Sequence, residues 1–294
     1  MNRAVDSPVS CPYRRRMKRK DPTAGLSSDK IRRFQETIWG NFRRHGRDLP
    51  WRRTRDPYRI LVSEIMLQQT QVQRVMLKYA EFIAAFPDFA SLARARLRDV
   101  LCTWQGLGYN RRAIALKEIA ERVVRDFNGA LPDSIDTLAT LPGIGRATAS
   151  AICAFAFDRP VVFIETNIRT VFIYFLFQGR QRITDADIAS LVEKTLPRRN
   201  HRQWYYALMD YGVMLKKHVP GLNKRSAHYQ TQSPFQGSNR QMRGQVLKAL
   251  IGGPKTPAAL SKMLAPDPAH IRNILTRLES EGFIKKDRGL YAVV

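Results

Sequence analysis

Two glutamates stand where an acidic side chain is costly to place. Glu64 lies within the apolar run Leu61–Leu67, and Glu165 directly follows the apolar run Val161–Ile164, just before a predicted helix. A carboxylate in such surroundings must be partnered, protonated or facing a cleft. For either residue alone, a salt bridge or a place near a helix N-terminus is the simpler interpretation.

Taken together, the two carboxylates suit cleavage of a glycosidic bond. One acid can protonate the departing base while a second, ionised carboxylate stabilises the oxocarbenium-like sugar. Desolvation favours the protonated form of the first group. A helix N-terminus favours the ionised form of the second.

A polar run and an aromatic residue could contact an opened base pair. Gln68, Gln69 and Thr70 follow the apolar segment that holds Glu64, and Tyr109 follows the glycine turn 106–108. Amides can fill the gap that a flipped base leaves, and an aromatic ring can wedge into a base step. Spacing alone leaves open a solvated helix face for the glutamines and the edge of the core for Tyr109.

The segment Leu141–Gly145, followed by Arg146, is predicted to form a hairpin between two apolar helices. Gly143 and Gly145 let the backbone approach a phosphate, and the N-terminus of the next helix offers free N–H donors. Such a site binds the DNA backbone without reading bases. A plain interhelical turn is the alternative, which the charge of the chain makes less favourable.

The composition indicates a polyanionic partner. The 294 residues contain 50 Lys and Arg against 25 Asp and Glu, a formal charge of +25, as expected of a nucleic-acid-binding protein. No apolar run approaches the ~20 residues of a membrane-spanning helix. Three cysteines without pair spacing, Cys11, Cys102 and Cys153, indicate neither a disulfide framework nor a metal site. We therefore expect a cytoplasmic, nucleoid-associated protein, most simply a monomer.

Apolar periodicity predicts an all-α fold. Helices are expected over 31–45, 74–86, 91–104, 111–127, 134–140, 146–157, 167–177, 185–195 and 202–218. We expect a basic disordered tail over 1–27, a main domain over 28–222, a linker over 223–240 and a C-terminal domain over 241–294. Helices over 241–251, 256–264 and 268–280 with a β-wing after Gly282 suggest a winged-helix-like domain, or equally a generic three-helix partner module.

The motifs resemble those of the helix-hairpin-helix superfamily of DNA glycosylases, and within it the adenine glycosylases. The resemblance covers about 30–215 and rests on the segments 49–52, 63–72, 106–109, 141–146 and 207–212. It implies two α-helical lobes with a DNA-binding cleft between them, one lobe over 51–140 and the other from 28–50 and 141–222. It also implies a monovalent cation at the hairpin carbonyls.

The resemblance further implies roles for individual residues. Glu64 would protonate adenine, Gln69 and Tyr109 would enter the base stack, and Gln68 and Thr70 would lie beside the opposite base. Arg52 and Asn167 match polar positions of the adenine pocket and catalytic loop. The implied partner is double-stranded DNA with a mismatched or damaged base, and the implied role is base excision repair.

Three positions depart from the family pattern. Glu165 stands where the family has a catalytic aspartate, and one extra methylene could shift the carboxylate by ~1.5 Å. Ala147 stands where bifunctional relatives place a lysine nucleophile, so we expect a monofunctional enzyme. The segment 213–226 has no cysteine, so we expect no iron–sulfur cluster and expect Lys216, Lys217, Lys224 and Arg225 to supply DNA contacts there. The substrate alternatives are a T:G or U:G mismatch or a modified base, and a non-catalytic DNA-binding protein.

Overall fold

The computed structural model describes residues 26–231, 234–264 and 267–294, and in these ranges the chain is helical apart from one two-stranded sheet. The predicted all-α class is therefore confirmed. Cys11 and the predicted tail, except for its last two residues, lie outside the described ranges. The helices up to the hairpin are α1 (Ser28–His45), α2 (Pro57–Leu67), α3 (Val72–Ala85), α4 (Phe89–Arg94), α5 (Leu97–Trp104), α6 (Arg111–Asp126) and α7 (Ile135–Leu138).

After the hairpin the helices are α8 (Arg146–Phe157), α9 (Thr166–Leu176), α10 (Asp185–Thr195), α11 (His201–His218), α12 (Asn239–Ile251), α13 (Pro257–Leu264) and α14 (Pro268–Ser280). The single helix predicted over 91–104 is wrong, because the chain is extended at Ala95 and Arg96 and two helices form. No glycine or proline marks this break. Short 3₁₀ turns cover Pro50–Arg52 and Leu222–Arg225.

The chain divides into two compact units. The first unit comprises the described part of Met1–Pro57, with Asp133–Thr140 and Ile144–Thr231. The second comprises Tyr58–Pro132, Leu141–Gly143 and the described part of Gln232–Val294. The C-terminal segment thus shares a unit with α2–α6, an association that the sequence did not indicate. The predicted domain limits stay predictions.

Aromatic packing around α9 and α11 forms the core of the first unit. The Phe34 ring of α1 lies 5.4 Å from the Phe172 ring of α9 and 5.9 Å from the Trp204 ring of α11. Close approach of the two helices depends on Gly212, since a Cβ there would lie 2.4 Å from the carbonyl oxygen of Asn167. The start of α9 is therefore fixed against α11.

A buried ion pair ties the segment before α2 to α11. The Arg52 guanidinium donates to both carboxylate oxygens of Asp210 at 2.8 Å, and Arg47 Nε donates to Asp210 Oδ1 at 2.6 Å. Asp210 is only 5% exposed. Although burial raises the pKa of Asp210, the bonds to Arg52 and Arg47 outweigh it and hold that pKa below its usual value.

In the second unit, α2 is apolar on almost every side. Ile60, Leu61, Val62, Ile65 and Met66 are all buried. A helix that is hydrophobic all round lies in the core. The packing of α2 in the core of the second unit therefore fixes the position of Glu64, which this helix carries.

The C-terminal part consists of three helices followed by an antiparallel hairpin. Strand β1 (Ile284–Asp287) pairs with β2 (Leu290–Val293), with Ile284 opposite Val293, and Lys255 forms a further bridge to Tyr291. This is the helix, helix, helix and wing order that the sequence predicted. In the described ranges of the whole chain, no helix is long and apolar enough to span a bilayer.

The Asp210 ion pair yields a prediction on stability. The substitution Asp210→Asn leaves the buried Arg52 without a counter-charge, so we expect a loss of about 3–5 kcal/mol in the free energy of unfolding, measured by urea unfolding. The matched control is Asp136→Asn, whose carboxylate pairs with Arg146 on the surface and should cost less than about 1 kcal/mol.

The same ion pair predicts a pH dependence. Because the pKa of Asp210 is lowered by folding, its contribution is present at neutral pH and is lost as the pH falls through that lowered pKa. The stability difference between wild type and Asp210→Asn should therefore shrink in acid. Equal losses for both variants at neutral pH would contradict the assignment.

Candidate functional site

Glu165 is the N-cap residue of α9. Its Oε1 accepts hydrogen bonds from the backbone N–H groups of Asn167 and Ile168, both at 2.8 Å. Its Oε2 accepts from Asn167 Nδ2 at 3.0 Å. The side chain is half-buried. These donors and the positive end of the helix dipole stabilise a negative charge at this position.

Asn167 links Glu165 to a lysine of α11. While Asn167 Nδ2 faces Glu165, Asn167 Oδ1 accepts from Lys216 Nζ at 2.8 Å. Lys216 is half-buried. Burial lowers the pKa of the Lys216 ammonium below its usual value, although the Glu165 carboxylate acts in the opposite direction. The structure thus brings together two predicted site residues, Glu165 and Asn167, and Lys216, which was expected to contact DNA.

Arg52 takes part in the buried ion pair with Asp210. Its terminal nitrogens bond Asp210 and the carbonyl of Arg47, and its guanidinium lies 4.4 Å from the centre of the Tyr206 ring. These contacts make Arg52 a buried structural residue of the first unit. A contact between Arg52 and a flipped base stays a prediction.

Glu64 lies in the middle of α2, between the buried residues Ser63 and Ile65, and is itself half-buried. The body of a helix therefore positions the Glu64 carboxylate, whereas Glu165 is positioned at the N-cap of one. Glu64 belongs to the second unit and Glu165 to the first. The catalytic roles of both residues stay predictions at this point.

One guanidinium organises the two predicted base-stack segments. Arg112 Nη1 donates to the carbonyls of Ile65, Met66 and Gln68 at 2.6–2.9 Å. Arg112 Nη2 donates to Thr70 Oγ1 at 3.0 Å and to the carbonyls of Leu107 and Gly108 at 3.3 and 2.9 Å. The C-terminus of α2, the segment 68–70 and the turn 106–109 therefore share one donor.

Arg112 was missed in the sequence although a signal for it exists. It occupies the apolar stripe of α6 with Leu116, Ile119 and Val123 at helical spacing, and it is 9% exposed. Burial lowers its pKa to about 10, which still leaves the guanidinium charged at neutral pH. An arginine on the buried face of an amphipathic helix needs internal acceptors, and here they are carbonyls at a helix end, where a positive charge is favourable.

Both predicted wedge residues adopt left-handed backbone conformations. Gln69 has φ +54° and Tyr109 has φ +48°. Residues other than glycine rarely adopt this region, and when they do the strain often lies at functional sites. Gln69 is exposed and Tyr109 is 38% exposed. The structure thus presents both side chains at the surface of the second unit.

The hairpin residues lie as the sequence suggested. Gly143 has φ +72°, a conformation that strains any residue with a side chain, and a Cβ there would lie 3.2 Å from that of Ala115, which would have to shift by a few tenths of an ångström. Gly143 O also accepts from Gln68 Nε2 at 3.2 Å. Gly145 is the N-cap of α8 and supplies no side-chain cap, and Gly145 and Arg146 are exposed. The first-turn N–H groups of α8 therefore lack a side-chain acceptor at the cap, a suitable arrangement for an anion.

The C-terminal part contacts the turn that carries Tyr109. Arg240 of α12 donates to Tyr109 Oη at 2.8 Å. Glu281 accepts from Arg111 of α6 and from Arg243 of α12, each at 2.8 Å. Burial raises the pKa of Glu281, but the hydrogen bonds and charges of the two arginines lower it by more, so the pKa of Glu281 lies below its usual value. Ion pairs therefore join α12 and α14 to the start of α6.

Two of the four basic residues expected to contact DNA in the segment 213–226 form hydrogen bonds within the first unit. Arg225 donates to the carbonyls of Phe177 and Arg180, and Lys216 bonds Asn167, so both are engaged within the first unit. Lys217 and Lys224 are exposed. Because the segment 213–226 has no cysteine, its donor set does not fit an iron–sulfur cluster. The monovalent cation at the hairpin stays a prediction.

Comparisons with known proteins agree with these features. The model of the HhH-GPD superfamily, base excision DNA repair proteins, matches residues 62–286. An adenine DNA glycosylase of Mycolicibacterium smegmatis is 32% identical over 259 residues, which cover 82% of this chain and 88% of the relative. One from Buchnera aphidicola is 35% identical over 184 residues, which cover 62% of this chain and 52% of the relative. The chain spans about half the length of several curated relatives that it matches.

A solved structure shares most of the fold. A thermostable thymine-DNA glycosylase superposes with a TM-score of 0.57 at 26% identity, covering 68% of this chain and 97% of that one. The predicted helix-hairpin-helix fold is confirmed by this likeness and by the family match.

Arg112 provides a prediction on local order. In Arg112→Met, the carbonyls of α2 and of the turn 106–109 lose a shared donor, which costs roughly 1–3 kcal/mol for each buried group left unpaired. We expect the amide hydrogens of 68–70 and 107–109 to exchange at least about 10-fold faster, measured by hydrogen exchange with mass spectrometry.

The matched control is Arg125→Met on the same helix, since Arg125 is exposed and pairs with its neighbour Asp126. It should leave exchange in both segments unchanged. Unaltered protection in Arg112→Met would mean that the two segments are held by other contacts.

Proposed function

Since the chain belongs to the HhH-GPD superfamily of base excision DNA repair proteins, we propose that it is a DNA glycosylase that removes adenine from mispairs with guanine or 8-oxoguanine in duplex DNA. The adenine DNA glycosylase relatives support the substrate. The chain charge of +25 supports a polyanionic partner. The uncapped, exposed N-terminus of α8 supports a phosphate contact at the hairpin.

The observation that carries the proposal is the environment of Glu165. Three N–H donors and the N-terminus of α9 stabilise a negative charge on its carboxylate. Such a preorganised anion suits stabilisation of positive charge on a sugar in the transition state. Because Glu165 Oε1 accepts two backbone N–H groups, the longer arm of glutamate is folded back onto the start of its own helix.

Glu64 supplies the proton in this mechanism. The proton passes from the Glu64 carboxyl to N7 of adenine, the bond between C1′ and N9 breaks, and its electron pair leaves with the base. Water then adds to C1′ and loses a proton to a carboxylate or to solvent, which gives an abasic site and free adenine. Glu165 stabilises the oxocarbenium-like sugar between these steps.

Gln69 and Tyr109 would hold the opened duplex. Their strained, exposed positions and the shared support from Arg112 suit side chains that enter the base stack. Gln68 and Thr70, on the same segment, would then face the base opposite the flipped adenine. Arg146, whose ion pair with Asp136 is exposed, would exchange that weak pair for a DNA phosphate.

A mispaired thymine is the second candidate substrate. It is favoured by the likeness to the thymine-DNA glycosylase, of which the chain covers 97%. The same carboxylates and the same base-stack segments would serve either base, so the substrate must be settled by cleavage.

A substrate panel tests the proposed function. We expect wild-type protein to release adenine from A:G and A:8-oxoG duplexes, scored by strand cleavage after alkali. Glu64→Gln and Glu165→Gln should each slow single-turnover cleavage by at least about 100-fold, since they remove the proton donor and the preorganised anion respectively.

The matched control is Glu81→Gln, an exposed glutamate of the second unit that pairs with Lys78, and it should cleave at the wild-type rate. Cleavage of T:G or U:G duplexes alone would favour the second candidate. If wild-type protein binds every duplex and cuts none, the chain is a DNA-binding protein on a glycosylase scaffold.

We also propose that the enzyme is monofunctional. Ala147 lies in the exposed first turn of α8, where bifunctional relatives would present a lysine amine, and an alanine cannot form a Schiff base. Borohydride added to wild-type protein with abasic duplex should therefore trap no covalent adduct. A stable adduct on a gel would reveal an amine nucleophile elsewhere in the chain.

A further inference from the structure

We propose that Lys216 is a positioning residue for the Glu165 carboxylate and that it acts through the side-chain amide of Asn167. The inference rests on the proposed function of Glu165. It assigns a role to a lysine that the sequence placed among DNA-contacting residues, and whose side chain instead points into the first unit.

Two residues on one face of α11 fix Asn167. Gly212 and Lys216 are one helical turn apart, so they lie on the same side of the helix. At Gly212 the absence of a side chain lets the Asn167 backbone come close, since a Cβ would lie 2.4 Å from Asn167 O and 2.7 Å from Asn167 Cβ. One turn later, Lys216 Nζ reaches Asn167 Oδ1 at 2.8 Å. The backbone and the side chain of Asn167 are therefore both held by α11.

The ammonium group decides which way the Asn167 amide faces. A lysine ammonium only donates hydrogen bonds, whereas an asparagine amide has one accepting and one donating end. With Lys216 at one end, the oxygen must face the lysine and the nitrogen must face Glu165, where it donates to Oε2 at 3.0 Å. Reversal would place a carbonyl oxygen against the carboxylate.

Glu165 needs this second support because its side chain is longer than that of the aspartate in the family pattern. Glu165 Oε1 is held by two backbone N–H groups, but Oε2 depends on the Asn167 amide. Loss of the amide orientation would free the carboxylate to rotate. A displacement of about 1 Å in a catalytic group can cost on the order of 100-fold in rate.

The closing experiment compares Lys216→Met with Lys30→Met in the protein chain as it stands. Lys30 lies in α1 of the same unit, is exposed and carries the same charge, so the two variants change the net charge equally. We expect Lys216→Met to slow single-turnover cleavage of an A:8-oxoG duplex by about 10- to 100-fold. Its Kd for uncleaved duplex should match that of Lys30→Met, which should cleave at the wild-type rate.

A double-mutant cycle separates a positioning role from a general loss of structure. If Lys216 acts through Asn167, then Asn167→Ala slows cleavage and adding Lys216→Met slows it no further. Thermal unfolding of each variant reports folding, and Lys216→Gln replaces the methionine variant if that protein is unfolded at the assay temperature.

Four results would overturn the inference. Additive losses in the cycle would mean that Lys216 acts without Asn167. A Kd raised for Lys216→Met but not for Lys30→Met would make Lys216 a DNA contact. A borohydride adduct in wild type that disappears in Lys216→Met would make it a nucleophile. If wild-type protein cleaves no duplex, the proposed function fails, whereas cleavage by wild type and Lys216→Met at equal rates refutes only the positioning role.

Discussion

Carbonyl oxygens at the end of a buried helix need donors inside the protein, and this requirement shapes the second unit. Helix α2 is apolar on nearly all sides, and the residues Ile65 and Met66 in its last turn are buried, so their carbonyls need donor partners within the protein. The Arg112 guanidinium satisfies them and, with its remaining N–H groups, binds the segment 68–70 and the turn 106–109. The Arg112 guanidinium, which the end of α2 requires, therefore also holds the segments in which Gln69 and Tyr109 adopt strained backbone conformations.

In the first unit, acidic side chains accept hydrogen bonds from groups that need acceptors. Asp210 pairs with Arg47 and Arg52 shortly before α2, and Glu165 accepts from the N–H groups at the start of α9. Asp210 lies in α11, and Glu165 caps the helix that packs against α11. Removal of either one would leave buried donors unpaired, so stability and proposed catalysis are linked through the same helix pair.

The sequence predicted most of the helices, although not α2 or the break between α4 and α5, and it did not predict the polar contacts, for a physical reason. Apolar periodicity is a local property, and it located α6, α8, α11 and α14 to within about two residues. The partners of Arg112, Arg52 and Lys216 are distant in the chain, and only the fold brings them together. The sequence therefore could not show that Arg52 binds Asp210 or that Lys216 binds Asn167, and the base-pocket role of Arg52 stays a prediction. For Glu64 and Glu165, each taken alone, the sequence favoured a salt bridge or a place near a helix N-terminus. The glycosidic chemistry was inferred from the pair, and the individual roles came from the family resemblance and stay predictions.

The C-terminal part, residues 239–294, lies outside the family motifs but also contacts the turn that carries Tyr109. Its Arg240 donates to the hydroxyl of Tyr109, whose backbone is already set by the turn that Arg112 holds. The Glu281 pairs with Arg111 and Arg243 attach this part to the start of α6, directly after that turn. Tyr109 therefore has one support from within the helices and one from the winged-helix-like part. Under the proposed function, Tyr109 would either break or keep its hydrogen bond with Arg240 on entering a base stack, so the C-terminal part would affect the free-energy cost of that insertion.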